Sequence, residues 1–200
     1  MKFIGVTGGI GAGKSTVLDY IKNNYKAEIY PADRVAEELE SPGQKVYESL
    51  IELLGDDICT DGAGTEINRR AMAERIFMNP SLLSGVNSIV HPAVRRYLME
   101  RLQEARECGE VDYFVVEAAL LIETGYGDIV DSMWYVYADE DTRVQRLMAS
   151  RGYSEEKARR IMLSQLSDEE FRRAADVVID NSGDEENTYA QVDRALKEEL

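Results

Sequence analysis

The sequence predicts an α/β fold: an open parallel sheet of five strands flanked by helices, with a helical lobe and an arginine-rich helical segment inserted into it. Three observations lead there. Five short apolar runs, at 3–6, 27–30, 113–116, 133–137 and 176–180, have the length and boundaries of buried strands. Stretches of helical apolar spacing lie between them, the alternation that gives parallel sheets their crossovers. The first run also leads directly into Gly8-Gly9-Ile10-Gly11-Ala12-Gly13-Lys14-Ser15-Thr16, a glycine-rich loop closed by a lysine and two hydroxyls.

Composition narrows the function classes. The chain has 200 residues, 44% hydrophobic and 30% charged, enough for one globular domain with a substantial core. It lacks an apolar run of 18 or so residues, so no membrane partner is expected. The first strand begins almost at residue 1, leaving no room for a signal peptide, and a cytoplasmic protein is expected. Cys59 and Cys108 stand apart and His91 is the sole histidine, which removes disulfide and zinc readings. The formal net charge of −15 repels polyanions, so no nucleic-acid partner is expected, and an anionic small substrate would need a local cluster of arginines.

Taken in order, Phe3-Ile4-Gly5-Val6 reads as the first strand, and the loop after it as a phosphate cradle of the P-loop NTPase type. Glycines let successive backbone N–H groups converge on an anion, Lys14 can neutralise β- and γ-phosphates, and the Ser15 hydroxyl can ligate Mg²⁺. Val17-Leu18-Asp19-Tyr20-Ile21 continues as a helix whose N-terminus lies beneath the phosphates. Ala27–Tyr30 is the second strand, ending at Pro31-Ala32-Asp33-Arg34. Asp33 has two readings: a carboxylate at the sheet's C-terminal edge that orients an acceptor hydroxyl and takes its proton, or a helix N-cap.

From Ser41 to about Arg106 the pattern is almost wholly helical, with no strand-like run, stops at Gly55 and Asp61-Gly62-Ala63-Gly64 and starts at Asn79-Pro80 and His91-Pro92. Arg69, Arg70, Arg95 and Arg96 are candidates for gripping substrate phosphates, and each also reads as a solvated surface residue. His91 is equally a capping or packing residue and a functional one. Tyr113–Val116 ends in Glu117, which can hold Mg²⁺ through water or cap a loop. Between the fourth and fifth strands lie Arg143, Arg146, Arg151, Arg159, Arg160, Arg172 and Arg173, on helices separated at Gly152 and opened at Ser154 and Ser167. They suit a cationic lid over a triphosphate, or Glu/Arg pairing on the surface. Asn181-Ser182-Gly183 forms a turn at the edge where the loop lies, able to contact an adenine by backbone groups. The whole reads as one domain, 1–200, in which 1–32, 109–139 and 175–200 form the core, 33–108 a substrate lobe and 140–174 a lid.

These segments together resemble the dephospho-CoA kinase family. Val6-Thr7-Gly8-Gly9-Ile10 running into Gly13-Lys14-Ser15-Thr16, then Ala32-Asp33, His91-Pro92, Leu120-Leu121-Ile122-Glu123-Thr124-Gly125, Gln145-Arg146-Leu147 with Arg151 and Gln165, and Val178-Ile179-Asp180-Asn181-Ser182-Gly183 follow the family's order along nearly the whole chain. The resemblance implies transfer of the γ-phosphoryl of ATP, with Mg²⁺, to the ribose 3′-hydroxyl of dephospho-CoA; a monomer is expected, although the sequence does not fix the oligomeric state. It implies Lys14, Asp33 and Arg146 as catalytic residues. Nucleotide would be held by Gly9, Ile10, Gly11, Ala12, Gly13, Lys14, Ser15, Thr16, Arg146, Arg151, Asn181 and Gly183. Substrate would be held by Thr7, Asp33, Arg34, His91, Arg95 and Glu117, and the metal by Ser15. The family often has Asp-Ala-Asp where this chain has Pro31-Ala32-Asp33, and Asp-x-Pro-Leu-Leu where it has Glu117-Ala118-Ala119-Leu120-Leu121. Two other readings differ in the acceptor or in kind: a kinase for a nucleoside monophosphate or small alcohol, and a nucleotide switch. The switch would want an Asn-Lys-x-Asp motif, which the sequence lacks.

Overall fold

The computed structural model describes residues 1–199 apart from 63 and 78, so the part of the expected turn at Ala63 lies outside the described residues. The chain forms two compact units, Met1–Tyr30 with Glu104–Leu200, and Pro31–Gln103.

The first unit is organised on a five-stranded sheet in the order β2-β3-β1-β4-β5. Its strands are β1 (Lys2–Thr7), β2 (Ala27–Pro31), β3 (Tyr113–Glu117), β4 (Ser132–Tyr137) and β5 (Val177–Asp180), each within a residue or two of the apolar runs that predicted it. β1 pairs in parallel with β3, where Val6 meets Glu117, and with β4, where Thr7 meets Tyr135; β4 in turn pairs in parallel with β5. The three central strands are buried on both faces, which is why they read as continuous apolar runs rather than alternating ones. Helices α1 (Lys14–Asn24) and α9 (Glu185–Glu199) contribute Val17, Leu18, Ile21, Val192, Ala195 and Leu196 to a core shared with Ile4, Val6, Val115, Trp134 and Val136. Tyr20 and Tyr25 both donate to Asp193 Oδ1, at 2.8 and 2.6 Å, and tie α1 to α9.

The crossover from β4 to β5 holds α6 (Glu140–Arg151), α7 (Glu155–Leu163) and α8 (Asp168–Ala174). Their boundaries follow the expected signals: Gly152 ends α6 in the left-handed conformation, Ser154 caps α7, and Ser167 with Glu170 forms a capping box on α8. Val144, Leu147 and Ala158 join α6 to α7 in a small core of their own, against which Ile10 packs. Phe171 of α8 stacks on Tyr135 of β4 with ring centroids 4.7 Å apart.

The second unit contains α2 (Ala32–Leu39), α3 (Lys45–Leu54), a 3₁₀ turn at Asp56–Ile58, α4 (Arg69–Phe77) and the greater part of α5 (Pro80–Cys108). One expectation is corrected here. His91-Pro92 does not start a helix; Pro92 lies inside α5. An interior proline costs about 3 kcal/mol through the lost amide bond and ring clash. Val86, Val90, Val94, Leu98 and Leu102 keep helical spacing across it and are all buried. At roughly 1.5–3 kcal/mol for each such side chain, the apolar face outweighs the proline.

Candidate active site

The loop between β1 and α1 is shaped by what lies against it. A Cβ at Gly8 would overlap the Val136 carbonyl, one at Gly9 the Arg143 guanidinium, and one at Gly13 the Asn181 side-chain amide; Gly13 also has φ +84°. The β4 backbone, a side chain of the β4–β5 crossover and one from the turn after β5 therefore approach the backbone here to distances only glycine permits. α1 begins at Lys14 with no side-chain cap and no acidic residue in its first turn; the Thr16 N–H donates to Gly13 O at 3.1 Å, and the Lys14 and Ser15 N–H groups with the positive end of the dipole are left for an anion.

The loop's carbonyls, by contrast, are bonded by donors around it. Lys14 Nζ donates to Gly8 O at 2.9 Å and pairs with Glu117 Oε1 at 3.4 Å, both side chains being largely buried. Arg143 Nε donates to Ile10 O at 2.9 Å. Ala12 O accepts from Asn181 Nδ2 at 2.8 Å and from Arg146 Nη1 at 3.3 Å. Among the amides, the Ile10 N–H donates to a side chain, Gln165 Oε1 at 2.9 Å, while the Ala12 and Thr16 N–H groups donate within the loop to Gly9 O and Gly13 O at 3.2 and 3.1 Å. With the Gly8, Ile10 and Ala12 carbonyls bonded by side chains around the loop and most of its amides uncommitted to side chains, the loop presents a concentration of donors where an anion can sit.

The turn after β5 belongs to the same structure. Asn181 is buried; its Oδ1 accepts from Thr188, and its carbonyl accepts from Arg146 Nη2 at 2.9 Å. Ser182 Oγ accepts from the Asp139 N–H at 2.9 Å. Asp139 caps α6 through the Thr142 N–H, and that bond holds its carboxyl below the usual aspartate value. Gly183 is exposed, with open space where a Cβ would stand.

The remaining expected residues divide clearly. Ser15 is exposed in the first turn of α1, and Thr16 is half-buried beside it. Thr7 is fully buried, and its Oγ1 donates to Ala119 O at 3.4 Å. Asn181's side-chain amide donates to the loop at Ala12 O. Arg143 and Arg146 reach the loop, whereas Arg159 pairs with Glu140, Asp141 and Glu155, Arg160 with Glu156, and Arg172 with Asp168 while lying over the Tyr137 ring. Surface pairing thus accounts for those three. Arg151 is exposed at the last residue of α6.

Within the second unit, Asp33 is exposed in the first turn of α2. It is not the N-cap, a position held by Pro31. Arg34 pairs with Glu37 at 2.8 Å on the surface. His91 and Arg95 are exposed one turn apart on α5. Arg69 pairs with Glu40, a buried carboxyl whose acidity burial weakens, and Arg70 pairs with Glu74.

Sequence reasoning gave Arg143 no role distinct from its neighbours and named Gln165 only as part of a pattern. The available signal for Arg143 was its place in the opening turn of the helix that follows the fourth strand. Gln165 had none, lying 155 residues from Ile10.

The family model for dephospho-CoA kinase matches residues 2–187. A dephospho-CoA kinase of Corynebacterium efficiens is 40% identical over 201 residues, covering 98% of this chain and 96% of the relative. A crystal structure from Thermus thermophilus superimposes with a TM-score of 0.84 at 30% identity, covering 100% of this chain and 97% of that one. Dephospho-CoA kinase from Campylobacter jejuni shares the fold, with a TM-score of 0.69 at 23% identity and coverage of 98% and 96%.

Proposed function

Because the chain belongs to the dephospho-CoA kinase family, we propose that it transfers the γ-phosphoryl group of ATP to the ribose 3′-hydroxyl of dephospho-CoA, giving coenzyme A and ADP. The observation that carries this reading is the loop at 8–16, whose carbonyls are bonded around its rim and whose amides open toward an anion at the uncapped start of α1.

Phosphoryl transfer leaves little covalent work to protein groups, so positioning and charge neutralisation supply most of the acceleration. The amides of Gly9, Gly11, Ala12, Gly13, Lys14, Ser15 and Thr16 bind the phosphates, and the Lys14 ammonium neutralises charge building on the transferred group. Arg146 holds the loop through the Ala12 and Asn181 carbonyls, and together with Arg151 forms the cationic part of a lid spanning 140–174. Gly183 borders the adenine. Mg²⁺ is a hard cation that wants oxygen ligands: the exposed Ser15 hydroxyl in the first turn of α1 would hold it, and the Glu117 carboxylate at the end of β3 would do so through water. The ion would supply charge that offsets the phosphates.

On the acceptor side, Asp33 orients the 3′-hydroxyl and receives its proton as the oxygen attacks. Its carboxylate is solvent-exposed and committed to no helix cap, which leaves it available. Arg34, His91 and Arg95 serve the anionic groups of the substrate from the 33–108 lobe. Among the described residues no helix is long and apolar enough to cross a membrane. ADP release measured with ATP, Mg²⁺ and a panel of acceptors tests the assignment. Dephospho-CoA stimulates release, whereas nucleoside monophosphates and small alcohols do not; a panel in which dephospho-CoA has no effect refutes it.

A further inference from the structure

Ile10, near the tip of the loop, is gripped at three points by the α6–α8 crossover. Its side chain packs on Val144, Leu147 and Ala158. Its N–H donates to Gln165 Oε1 at 2.9 Å, and its carbonyl accepts from Arg143 Nε at 2.9 Å. Arg143 Nη2 donates to the same Gln165 oxygen at 3.1 Å, so the two side chains and the Ile10 backbone close a ring of hydrogen bonds. Gly9 has no side chain where the Arg143 guanidinium passes, and the Arg143 carbonyl lies 3.0 Å from the ideal Cβ position of Gly11. No other residue of the loop has both its amide and its carbonyl bonded by side chains from outside the loop among the bonds described above.

We propose that Gln165 and Arg143 are positioning residues for phosphoryl transfer: by fixing both faces of Ile10 they set the direction of the loop amides that follow it, and they join the loop to the helical crossover as one body. The proposal rests on the loop being the ATP site. Neither residue needs to touch substrate. Their chemistry is specific, because one oxygen of Gln165 accepts twice and Arg143 donates from two nitrogens held in a rigid fork. Glutamate at 165 keeps the acceptor; leucine removes it and leaves the Ile10 N–H without its partner. Lysine at 143 keeps the charge but not the fork. A loop prearranged in this way binds phosphate without first having to order itself, so loosening it weakens ATP binding.

The test compares wild type with Gln165→Leu, Gln165→Glu and Arg143→Lys in two measurements. Hydrogen exchange is followed at the Ile10 amide in protein without nucleotide, and KM is determined separately for ATP and dephospho-CoA. In wild type the Ile10 amide exchanges slowly. Gln165→Leu and Arg143→Lys accelerate that exchange and raise KM for ATP, on the order of tenfold for a lost hydrogen bond of this kind, while KM for dephospho-CoA stays within about twofold. Gln165→Glu recovers both the protection and the ATP affinity relative to leucine. The clamp is overturned if the wild-type Ile10 amide is unprotected, if leucine leaves both readouts as in wild type, or if the two KM values rise together as general loss of structure would make them. A wild-type protein that neither binds nor turns over ATP sinks the kinase reading instead, and the exchange measurement then decides the clamp alone.

Discussion

At the scale of single residues, the site is a set of groups whose worth lies in what they face. Lys14 combines a loop carbonyl with a carboxylate in a largely buried setting, so Lys14→Ala removes both the cation for the phosphates and the partner of Glu117. Turnover of that variant falls by at least about a hundredfold in steady-state assays, as for the loss of a group stabilising transition-state charge. Asp33→Asn separates acceptor from nucleotide: kcat falls while KM for ATP holds, and an enzyme with near wild-type kcat removes Asp33 from its role. Lys14 and Ser15 were legible because their spacing is local, nine consecutive residues carrying one chemistry. Arg143 was visible only as one of seven arginines, and nothing within the crossover says which of them turns toward the loop. Away from the site, Asp193 shows a titration with a definite sign. The Tyr25 hydroxyl hydrogen bond holds its carboxyl below the ordinary aspartate value, so the associated stability is present above about pH 4 and is lost as pH falls through the lower folded value. Between roughly pH 5 and pH 2, the unfolding midpoint of wild type therefore drops more steeply than that of Asp193→Asn, which keeps an acceptor but does not titrate.

At the scale of elements, strands and caps followed from local rules, and the exceptions had tertiary causes. The three central strands read as apolar runs because helices cover both faces. Ser154, Ser167 and Gly152 mark helix ends because their bonds close within four residues. Pro92 misled because a first-turn proline and an interior one look alike in a short window, and only the buried face running from Val86 to Leu102 separates them. Asp33 looked like a cap for a similar reason, although Pro31 holds that position. Pro92→Ala restores an interior amide, so thermal unfolding shifts upward, by as much as about 3 kcal/mol of stability if the helix is otherwise unaltered. A fall in midpoint would mean that the proline ring packs against something its removal exposes.

At the scale of the whole molecule, a net charge of −15 on 200 residues means that like charges repel throughout the folded chain. Raising ionic strength from about 10 mM to about 0.15 M shortens the reach of that repulsion from roughly 30 Å to roughly 8 Å, and the unfolding temperature rises by a few degrees. The cations that matter are concentrated instead: Lys14, Arg143 and Arg146 all bond to the backbone of one loop. The strand order has a consequence for how this chain is made. β1 takes its ladders only from β3 and β4, and β2 lies beside β3. A growing polypeptide leaving the ribosome thus carries its first two strands unpaired until residues 113–117 emerge, and the brace from Asn181 arrives later still. The loop segment is made before the strands that give it its working shape, and a nascent chain stalled before residue 113 would expose Phe3, Ile4 and Val6 to whatever binds bare apolar strands.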